Sequence, residues 1–474
     1  MEGSIMTKDM TKGKPLSLIL AFCLPMVCGN IFQQLYNMVD SVIVGQYVGV
    51  KAFAGVGSVG AVYFLVIGTA TGICAGFSIP VAQRFGAGDL KAMRRTVYNA
   101  NILAAAIAVV LTAVTVIFCK PLLHLMKTTP DTFEYAYSYI VVIFAGIPVT
   151  IFYNMMSGIL RALGDSKTPL KYLLTASGFN VVFDLVFIIV FGLGVVGTAL
   201  ATVLSQAVSA VMCYVYMKRR LPVLSYENGE KRVDLPLMRD IAVIGLPMAF
   251  QFSITAVGSI ILQTAVNTLG SVAVAGISAG QKVQNLIVQP METLGVTMAT
   301  YGGQNLGAKR IDRIHLGVKQ ALAVQIIYTV SIAAAVFFFG EYMTHIFLRS
   351  GDPDYAAILA DVRHYLRVTS LFYPILGVLF LFRNLLQGLG FSVVTLLAGA
   401  VELISRIVVS FGFVYRLGFD AAVFASPAAW TAAGVLLIFL YLIEIRKVEK
   451  RFGAAENKEQ KIRGQQRLPA LRHQ

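Results

Sequence analysis

Charge is what this sequence has least of. Only 13% of its 474 residues are charged, against 57% hydrophobic, and a typical soluble domain carries roughly twice that charged fraction. An ordinary soluble globular protein is thereby excluded. Cysteine is scarce as well. Cys23, Cys28, Cys74, Cys119 and Cys213 form no CxxC pair and sit in or beside apolar runs, so they read as small membrane-buried side chains. The five histidines are dispersed without an i,i+4 pair, which leaves metal chemistry without support. No nucleophile–base set is visible in the spans or loops, so an enzyme is not expected. A signal-peptide cleavage site is missing too: the first apolar stretch, from Leu16 onward, runs past signal-peptide length and is retained as a helix. No long extramembrane domain interrupts the chain, which suits a bacterial cytoplasmic membrane.

What is present is hydrophobic length. Runs such as 102–119, 321–340 and 432–443 recur along the chain, and a bilayer core of about 30 Å needs roughly 20 residues per helix. Twelve spans are predicted, at 16–43, 55–80, 97–119, 137–160, 170–191, 197–217, 241–265, 272–300, 317–340, 363–386, 392–415 and 421–445. Several reach that length only with interspersed Asn, Gln, Ser and Thr, which implies a polar interior shared by the bundle.

The formal net charge of +15 is distributed by side. Loops on the N-terminal side hold Lys8, Lys12 and Lys14, then Arg84, Lys91, Arg94 and Arg95, then Arg161, Lys167 and Lys171. They continue with clusters at 218–239 and 309–319 and a basic tail after Arg446. The other side has scattered charges, including Lys51, Lys120, Lys127 and Arg349. This is the positive-inside pattern, and it puts both termini in the cytoplasm of a multi-pass cell-membrane protein. Anionic lipid headgroups of the bilayer are the expected partners, and nucleic acid is not needed to explain the charge.

The chain also repeats itself. Leu24-Pro25-Met26 returns as Leu246-Pro247-Met248, and Ala54-Gly55 as Ala275-Gly276. Gln83-Arg84-Phe85-Gly86-Ala87-Gly88 returns as Gln304-Asn305-Leu306-Gly307-Ala308-Lys309, all at offsets of about 221–222 positions. Leu160-Arg161-Ala162-Leu163-Gly164 resembles Leu386-Gln387-Gly388-Leu389-Gly390, and Asn180 and Asp184 fall opposite Glu402 and Arg406. An even number of spans per half makes the repeat parallel, an arrangement that in transporters places the substrate path between rocking halves. The expected architecture is all-α integral membrane: twelve transmembrane helices in two pseudo-symmetric six-helix lobes around a central cavity. The expected divisions are a cytoplasmic N-terminus 1–15, a first lobe 16–217, a cytoplasmic linker 218–240, a second lobe 241–445 and a basic cytoplasmic tail 446–474.

Polar residues inside the spans are periodic. Asn30, Gln33, Gln34, Asn37 and Asp40 follow intervals of three and four and share one face of the first helix. Lipid cannot satisfy such a face, and an ionised Asp at mid-membrane costs roughly 2.5–3.5 kcal/mol. The alternative is a helix-packing hydrogen bond or a position near the interface. Asn180 and Asp184 lie one turn apart in the fifth span, and Thr198, Thr202 and Gln206 share a face of the sixth. With Asp40 these are hard oxygen ligands of the type that bind Na+ or carry a proton. Two buried carboxylates repel each other, so such a pair can hold one proton or one small cation. For Thr198 and Thr202 alone, helix packing is the competing reading. The eighth span carries Gln281, Lys282, Asn285, Gln289 and Glu292 at helical period, with Asn285 expected to line the cavity and Lys282 and Glu292 divided between cavity lining and structural pairing. Glu402 and Arg406 read as an ion pair across one helical turn. Pro25 removes a backbone hydrogen bond in the first span and is either a moving bend or a static kink.

Together the Leu24-Pro25-Met26 motif, the stripe ending in Val39-Asp40, the Gln83–Gly88 motif with its copy, and the run from Arg161 through Ala162-Leu163-Gly164-Asp165-Ser166-Lys167-Thr168 to Pro169 resemble the multidrug and toxic compound extrusion (MATE) family. Asn180 and Asp184, and Gly194, Gly197, Thr198, Ala199, Ala201 and Thr202, extend that resemblance. It runs from about Leu16 to Lys447 and implies export of cationic or amphipathic small molecules against inward H+ or Na+. It carries a cation-coupling site, with Na+ as one occupant, onto Asp40, Asn180, Asp184 and Thr202, and a bending role onto Pro25. Some branches also place acids in the seventh and tenth helices; spans 241–265 and 363–386 have none, so that second-lobe site is not expected here. No cofactor beyond the coupling ion is expected, and a monomer is. The competing reading is a lipid-linked glycan or lipid flippase of a related architecture, which calls for further spans and a strongly cationic cavity.

Overall fold

The apolar runs fold as helices wherever backbone groups must be satisfied without water. The computed structural model describes residues 9–126, 128–344 and 354–467; Lys8, Lys127, Arg349 and the end of the basic tail lie outside the described residues. The helices are α1 (Pro15–Ile43), α2 (Val50–Ser58), α3 (Gly60–Gly86), α4 (Leu90–Ile117), α5 (Cys119–Leu125), α6 (Pro130–Ala145), α7 (Ile147–Ala162), α8 (Lys167–Leu185) and α9 (Gly194–Arg220). After the linker come α10 (Leu235–Asn267), α11 (Ser271–Gly307), α12 (Ile311–Thr344), α13 (Tyr355–Leu371), α14 (Tyr373–Gly388), α15 (Ser392–Gly412), α16 (Val414–Leu417) and α17 (Phe419–Arg467). No strand occurs among the described residues.

Nine of these helices are long and apolar enough to cross a membrane, and two bent pairs bring the passes to eleven. The twelfth is α11, 37 residues long, whose polar stripe lowers its hydropathy below that of the others. The bent pairs differ from the straight spans expected at 137–160 and 363–386. α6 and α7 meet at 48° and α13 and α14 at 54°, at equivalent places in the two lobes. Each second helix begins with a proline in its first turn, Pro148 or Pro374, where a missing N–H is tolerated but a straight continuation is not. α1 instead runs on through Pro25 as one helix.

Each lobe has its own apolar core. The first centres on Phe77, Ile140, Phe144, Met155 and Leu160, and the second on Met298, Tyr301, Leu381, Leu385 and Leu437. The start of the chain crosses over: Met10, Ile19, Phe22 and Cys23 pack into the second-lobe core. Met10 donates its N–H to Gln304 Oε1 at 2.9 Å, and its carbonyl accepts from Asn305 and Arg313 at 3.2 and 3.1 Å.

At the end of the bundle that carries the N-terminus, the lobes meet through the repeated Gln motif. Gln83 of α3 donates to the Gly388 carbonyl of the second lobe at 3.0 Å, and Gln304 of α11 donates to the Ala162 carbonyl of the first at 2.7 Å. Because 83 and 304, and 162 and 388, are repeat partners, these two bonds are one contact made twice. The backbones approach so closely that a Cβ on Gly86 would lie 2.0 Å from the Gln304 carbonyl oxygen, and one on Gly307 would lie 1.8 Å from that of Gln83. Only glycine fits either position, and this face is closed.

Candidate functional site: a carboxyl pair in the first lobe

α1, α8 and α9 bring the polar residues of three spans together. Asp184 and Asn180 are 0% and 1% exposed, Thr202 is buried, and Asp40 is half-buried. The Asp40 and Asp184 carboxyls are within hydrogen-bonding reach of each other. With its amide turned to satisfy its neighbours, Asn180 donates from Nδ2 to Asp40 Oδ1 at 2.8 Å and accepts the Thr202 N–H at 3.3 Å. Among the described residues, Asp184 Oδ1 has no hydrogen-bond partner, and neither carboxyl forms an ion pair with a lysine or arginine. Two carboxyls in contact, one buried and one half-buried, can share one proton but cannot both stay anionic without a cation. The orphan oxygen, the second carboxyl, the Asn180 amide and the Thr202 hydroxyl form a hard-oxygen donor set that fits H+ or Na+. No group of three His, Cys, Asp or Glu suited to another metal occurs among the described residues.

Both carboxyl-bearing helices change winding just past the acid. α1 passes into a π-helical turn at Val44–Val48, and α8 into another at Val186–Val190. Such turns shift helix register locally and recur at functional sites.

Several neighbours were not singled out by polarity in the sequence. Tyr36 hydrogen-bonds Thr202, and Tyr63 and Tyr139 stand within electrostatic reach of Asp40. Ser205 and Ser209 continue the Thr198/Thr202 face of α9, and the hydroxyls of Thr198, Ser205 and Ser209 are buried without partners. The 198, 202, 205, 209 spacing was the available signal; Tyr36 offered only its place on α1, and Tyr63 and Tyr139, on α3 and α6, offered none. A cavity of about 350 Å3 runs beside the pair, bounded by Gln33, Tyr36, Asn180, Thr202, Ser205 and Tyr153.

The remaining candidates scatter. Asn30 donates to Thr293 of the second lobe at 2.9 Å and so bridges the lobes. Gln33, Asn37, Lys282 and Asn285 are exposed, while Pro25, Gln34 and Glu292 are half-buried. In the second lobe, the equivalents of Asn180 and Asp184 are Glu402 and Arg406, and they form the ion pair that their spacing suggested, at 2.8 Å. Arg383 of α14 adds a second guanidinium to Glu402 at 2.5 Å. Arg383 also donates to Gln251, oriented to accept, at 2.8 and 3.1 Å.

Comparison with known proteins places the fold. The MatE family model matches residues 25–186 and again 247–411, once per lobe. The probable multidrug resistance protein YpnP of Bacillus subtilis is 28% identical over 383 residues, covering 81% of this chain and 84% of its own length. The probable multidrug resistance protein YoeA of the same organism is 26% identical, covering 74% and 78%. A MATE family transporter of the MOP superfamily, solved in an outward-facing conformation, superposes with a TM-score of 0.87 at 22% identity over 94% of this chain and 99% of that one. With its two matched halves and its twelve-helix, two-lobed fold, the chain belongs to the MatE family of multidrug and toxic compound extrusion transporters.

Proposed function

We propose that this protein is a secondary active exporter, moving cationic or amphipathic small molecules out of the cell in exchange for inward H+ or Na+. The observation that carries this reading is the Asp40/Asp184 pair, a half-buried and a buried carboxyl in contact with no guanidinium or ammonium paired to them among the described residues. On this reading the coupling ion binds at Asp40, Asn180, Asp184 and Thr202, and no further cofactor takes part. Both termini, the linker 218–240 and the tail 446–474 face the cytoplasm, the lobes are 16–217 and 241–445, and the protein acts as a monomer in the cell membrane.

Rocking follows from the closed N-terminal face. With the pair empty, the lobes stay joined there and substrate leaves on the other side. Exposed polar side chains at mid-helix cannot face lipid. Gln33, Asn37, Lys282 and Asn285 therefore line the cavity that opens outward, with Asn30, Gln34 and Glu292 deeper in it. A cation arriving between Asp40 and Asp184 removes their repulsion and repacks α1, with Pro25 as the place where α1 bends. One charge crossing gains about 2.3 kcal/mol per 100 mV, and reversing a 1:99 population takes roughly 5.5 kcal/mol. A membrane potential and a concentration gradient together supply that.

The test is efflux of a fluorescent cationic dye in everted vesicles, with the Na+ and pH gradients collapsed in turn. Asp40→Asn and Asp184→Asn are expected to abolish gradient-driven transport while the protein still inserts. Wild-type rates from either variant, or transport indifferent to both gradients, would overturn the assignment.

A further inference from the structure

A second cavity lies between the lobes, and it contains a charge that the coupling site does not use. Arg161 stands in the last turn of α7, with its side chain turned inward. Its Nη1 donates to Ser157 Oγ at 2.9 Å, and its electrostatic neighbours are Tyr153, Cys213 and Cys74. Phenols and thiols are neutral near pH 7, so none of them balances a guanidinium that stays charged in any protein. No ion pair from Arg161 to a carboxylate exists among the described residues. Asp165, four positions on, directs Oδ1 to the amides of Lys167 and Thr168 at 3.1 and 3.0 Å. The helix C-terminus offers Arg161 about half an elementary charge of compensation. The remainder has no ion-pair partner among the described residues, and in a membrane bundle a charge without a partner in contact is costly and marks solute paths.

The cavity has about 490 Å3 of empty space, part of it open to solvent. Its walls come from both lobes: Arg161 and Ser78 from the first, Asn384, Thr300, Met248 and Val296 from the second. Ala82 and Ala162, also on its wall, adjoin or make the cross-lobe contacts of Gln83 and Gln304. The cavity therefore sits directly above the closed face. A solute entering from the N-terminal side meets Arg161 first once the two glutamine contacts part. The lining combines one guanidinium, three hydroxyl or amide side chains and seven apolar ones. That chemistry matches a carboxylate or phosphate oxygen pair joined to an apolar body, since the guanidinium fork binds such oxygens bidentately.

We propose that the Arg161 cavity binds the anionic group of an amphipathic molecule, so that the preferred substrates carry a carboxylate or phosphate beside any cationic group. The proposal rests on the transport reading above and narrows its substrate class. A quaternary or amine cation alone leaves Arg161 unmatched, whereas a zwitterion satisfies it without adding net charge to the bundle.

The test uses the full chain in detergent and two dyes of one scaffold, rhodamine B with its free carboxylate and rhodamine B ethyl ester. Dissociation constants come from fluorescence polarisation. The wild type is expected to bind the carboxylate dye about tenfold or more tightly than the ester. Arg161→Gln should erase that preference with little change for the ester, and Arg161→Lys should keep part of it. Equal binding of the two dyes by the wild type overturns the proposal, as does a preference that survives Arg161→Gln. Should Arg161→Gln fail to fold, the wild-type dye pair and Arg161→Lys still decide it. Dihexanoyl phosphatidylglycerol as competitor identifies the source of the anion. Displacement by it and by the choline analogue, which carries the same phosphate, assigns the site to a lipid phosphate, and no displacement by either assigns it to a soluble substrate. Asp40→Asn, measured alongside, separates this from the coupling reading: lost efflux with intact dye preference leaves the Arg161 site standing. Retained efflux with lost preference does the reverse, sinking the coupling assignment and this proposal on separate grounds.

Discussion

The same pair of positions has been used in two ways in the two lobes. In α8, Asn180 and Asp184 face the Asp40 carboxyl and leave Asp184 Oδ1 without a partner. In α15, the repeat partners Glu402 and Arg406 form an ion pair, and Arg383 closes a triad. The second lobe thus carries its cation covalently, as a guanidinium that cannot leave. The first has donors of the right type and no attached cation. On the proposed reading, a duplicated fold became an exchanger by keeping one site permanently satisfied and leaving the other dependent on an ion from solution. Loss of coupling in Asp40→Asn and Asp184→Asn is the largest effect this contrast predicts.

The next effect is on stability, and it should run in opposite directions. Glu402→Gln strands two buried guanidiniums, and removing one partner of a buried ion pair typically costs about 3–5 kcal/mol. Asp184→Asn removes a carboxyl from an already repulsive pair and is expected to be neutral or stabilising. Thermal denaturation of the purified variants, followed by the appearance of aggregated protein, measures both. The double variant Glu402→Gln with Arg406→Met should recover part of the loss, because it removes one stranded charge along with its partner. Equal destabilisation by Glu402→Gln and Asp184→Asn would erase the distinction between a locked and an exchangeable site.

A smaller effect probes where the lobes stop being equivalent at their closed face. Gln83 and Gln304 make mirrored bonds to Gly388 and Ala162, but Gln304 also accepts the Met10 N–H. A hydrogen bond contributes about 1 kcal/mol net, which is roughly a fivefold change in a two-state population. Gln83→Ala should shift the lobes toward the inward-open state by about that factor, and Gln304→Ala by more. Labelling of Thr300→Cys by a thiol reagent added from the N-terminal side reads the shift. A larger response from Gln83→Ala would mean that the Met10 segment contributes nothing to closure.

Much of this arrangement was legible in the sequence, for a physical reason. Lipid forbids unsatisfied polar groups, so the stripe from Asn30 to Asp40 and the Asn180/Asp184 turn stood out from the apolar residues around them. The mirrored glutamine contact was foreshadowed by the Gln83 and Gln304 motifs, although their spacing alone did not say that they touch opposite lobes. Contacts between distant helices were not readable. Arg383 lies nineteen positions from Glu402, on another helix, and no period connects them. Tyr63 and Tyr139 reach Asp40 from α3 and α6 and look in the sequence like ordinary aromatic filling. The breaks at Gly146 and Phe372 were hidden because a proline in the first turn of a helix is compatible with either a bend or a fresh start. The π-helical turns after Asp40 and Asp184 have no one-dimensional signature, since they depend on how α1, α8 and α9 pack.

The linker gives the smallest effect and the narrowest test of how the two lobes are joined. Among the described residues its ion pairs run to the first lobe: Arg94 of α4 reaches Glu230 at 2.7 Å and Glu227 at 2.8 Å, and Arg95 reaches Asp234 at 2.7 Å. Asn99 completes the clamp, donating to the Arg232 carbonyl and accepting the Asp234 N–H. Asp234 in turn caps α10, its carboxyl accepting the Leu237 N–H, so rocking must flex the chain after this residue and not within the linker. The Arg94 guanidinium, with the Glu227 N–H, draws the Glu230 carboxyl down from an ordinary 4.5 to about 2. A carboxyl lowered on folding stabilises the clamp fully above its ordinary value, and that contribution fades as pH falls through about 2. Amide-exchange protection of the linker, corrected for the intrinsic pH dependence of exchange, is therefore expected to be flat between about pH 8 and pH 5. Glu230→Gln should lower it across that whole range and speed proteolysis after Lys231 and Arg232, with transport changed less than by either glutamine variant. Wild-type protection that falls steadily from pH 8 to pH 5 would mean that some group other than Glu230 holds the linker. The joint between the lobes would then lie inside the linker and not at the start of α10.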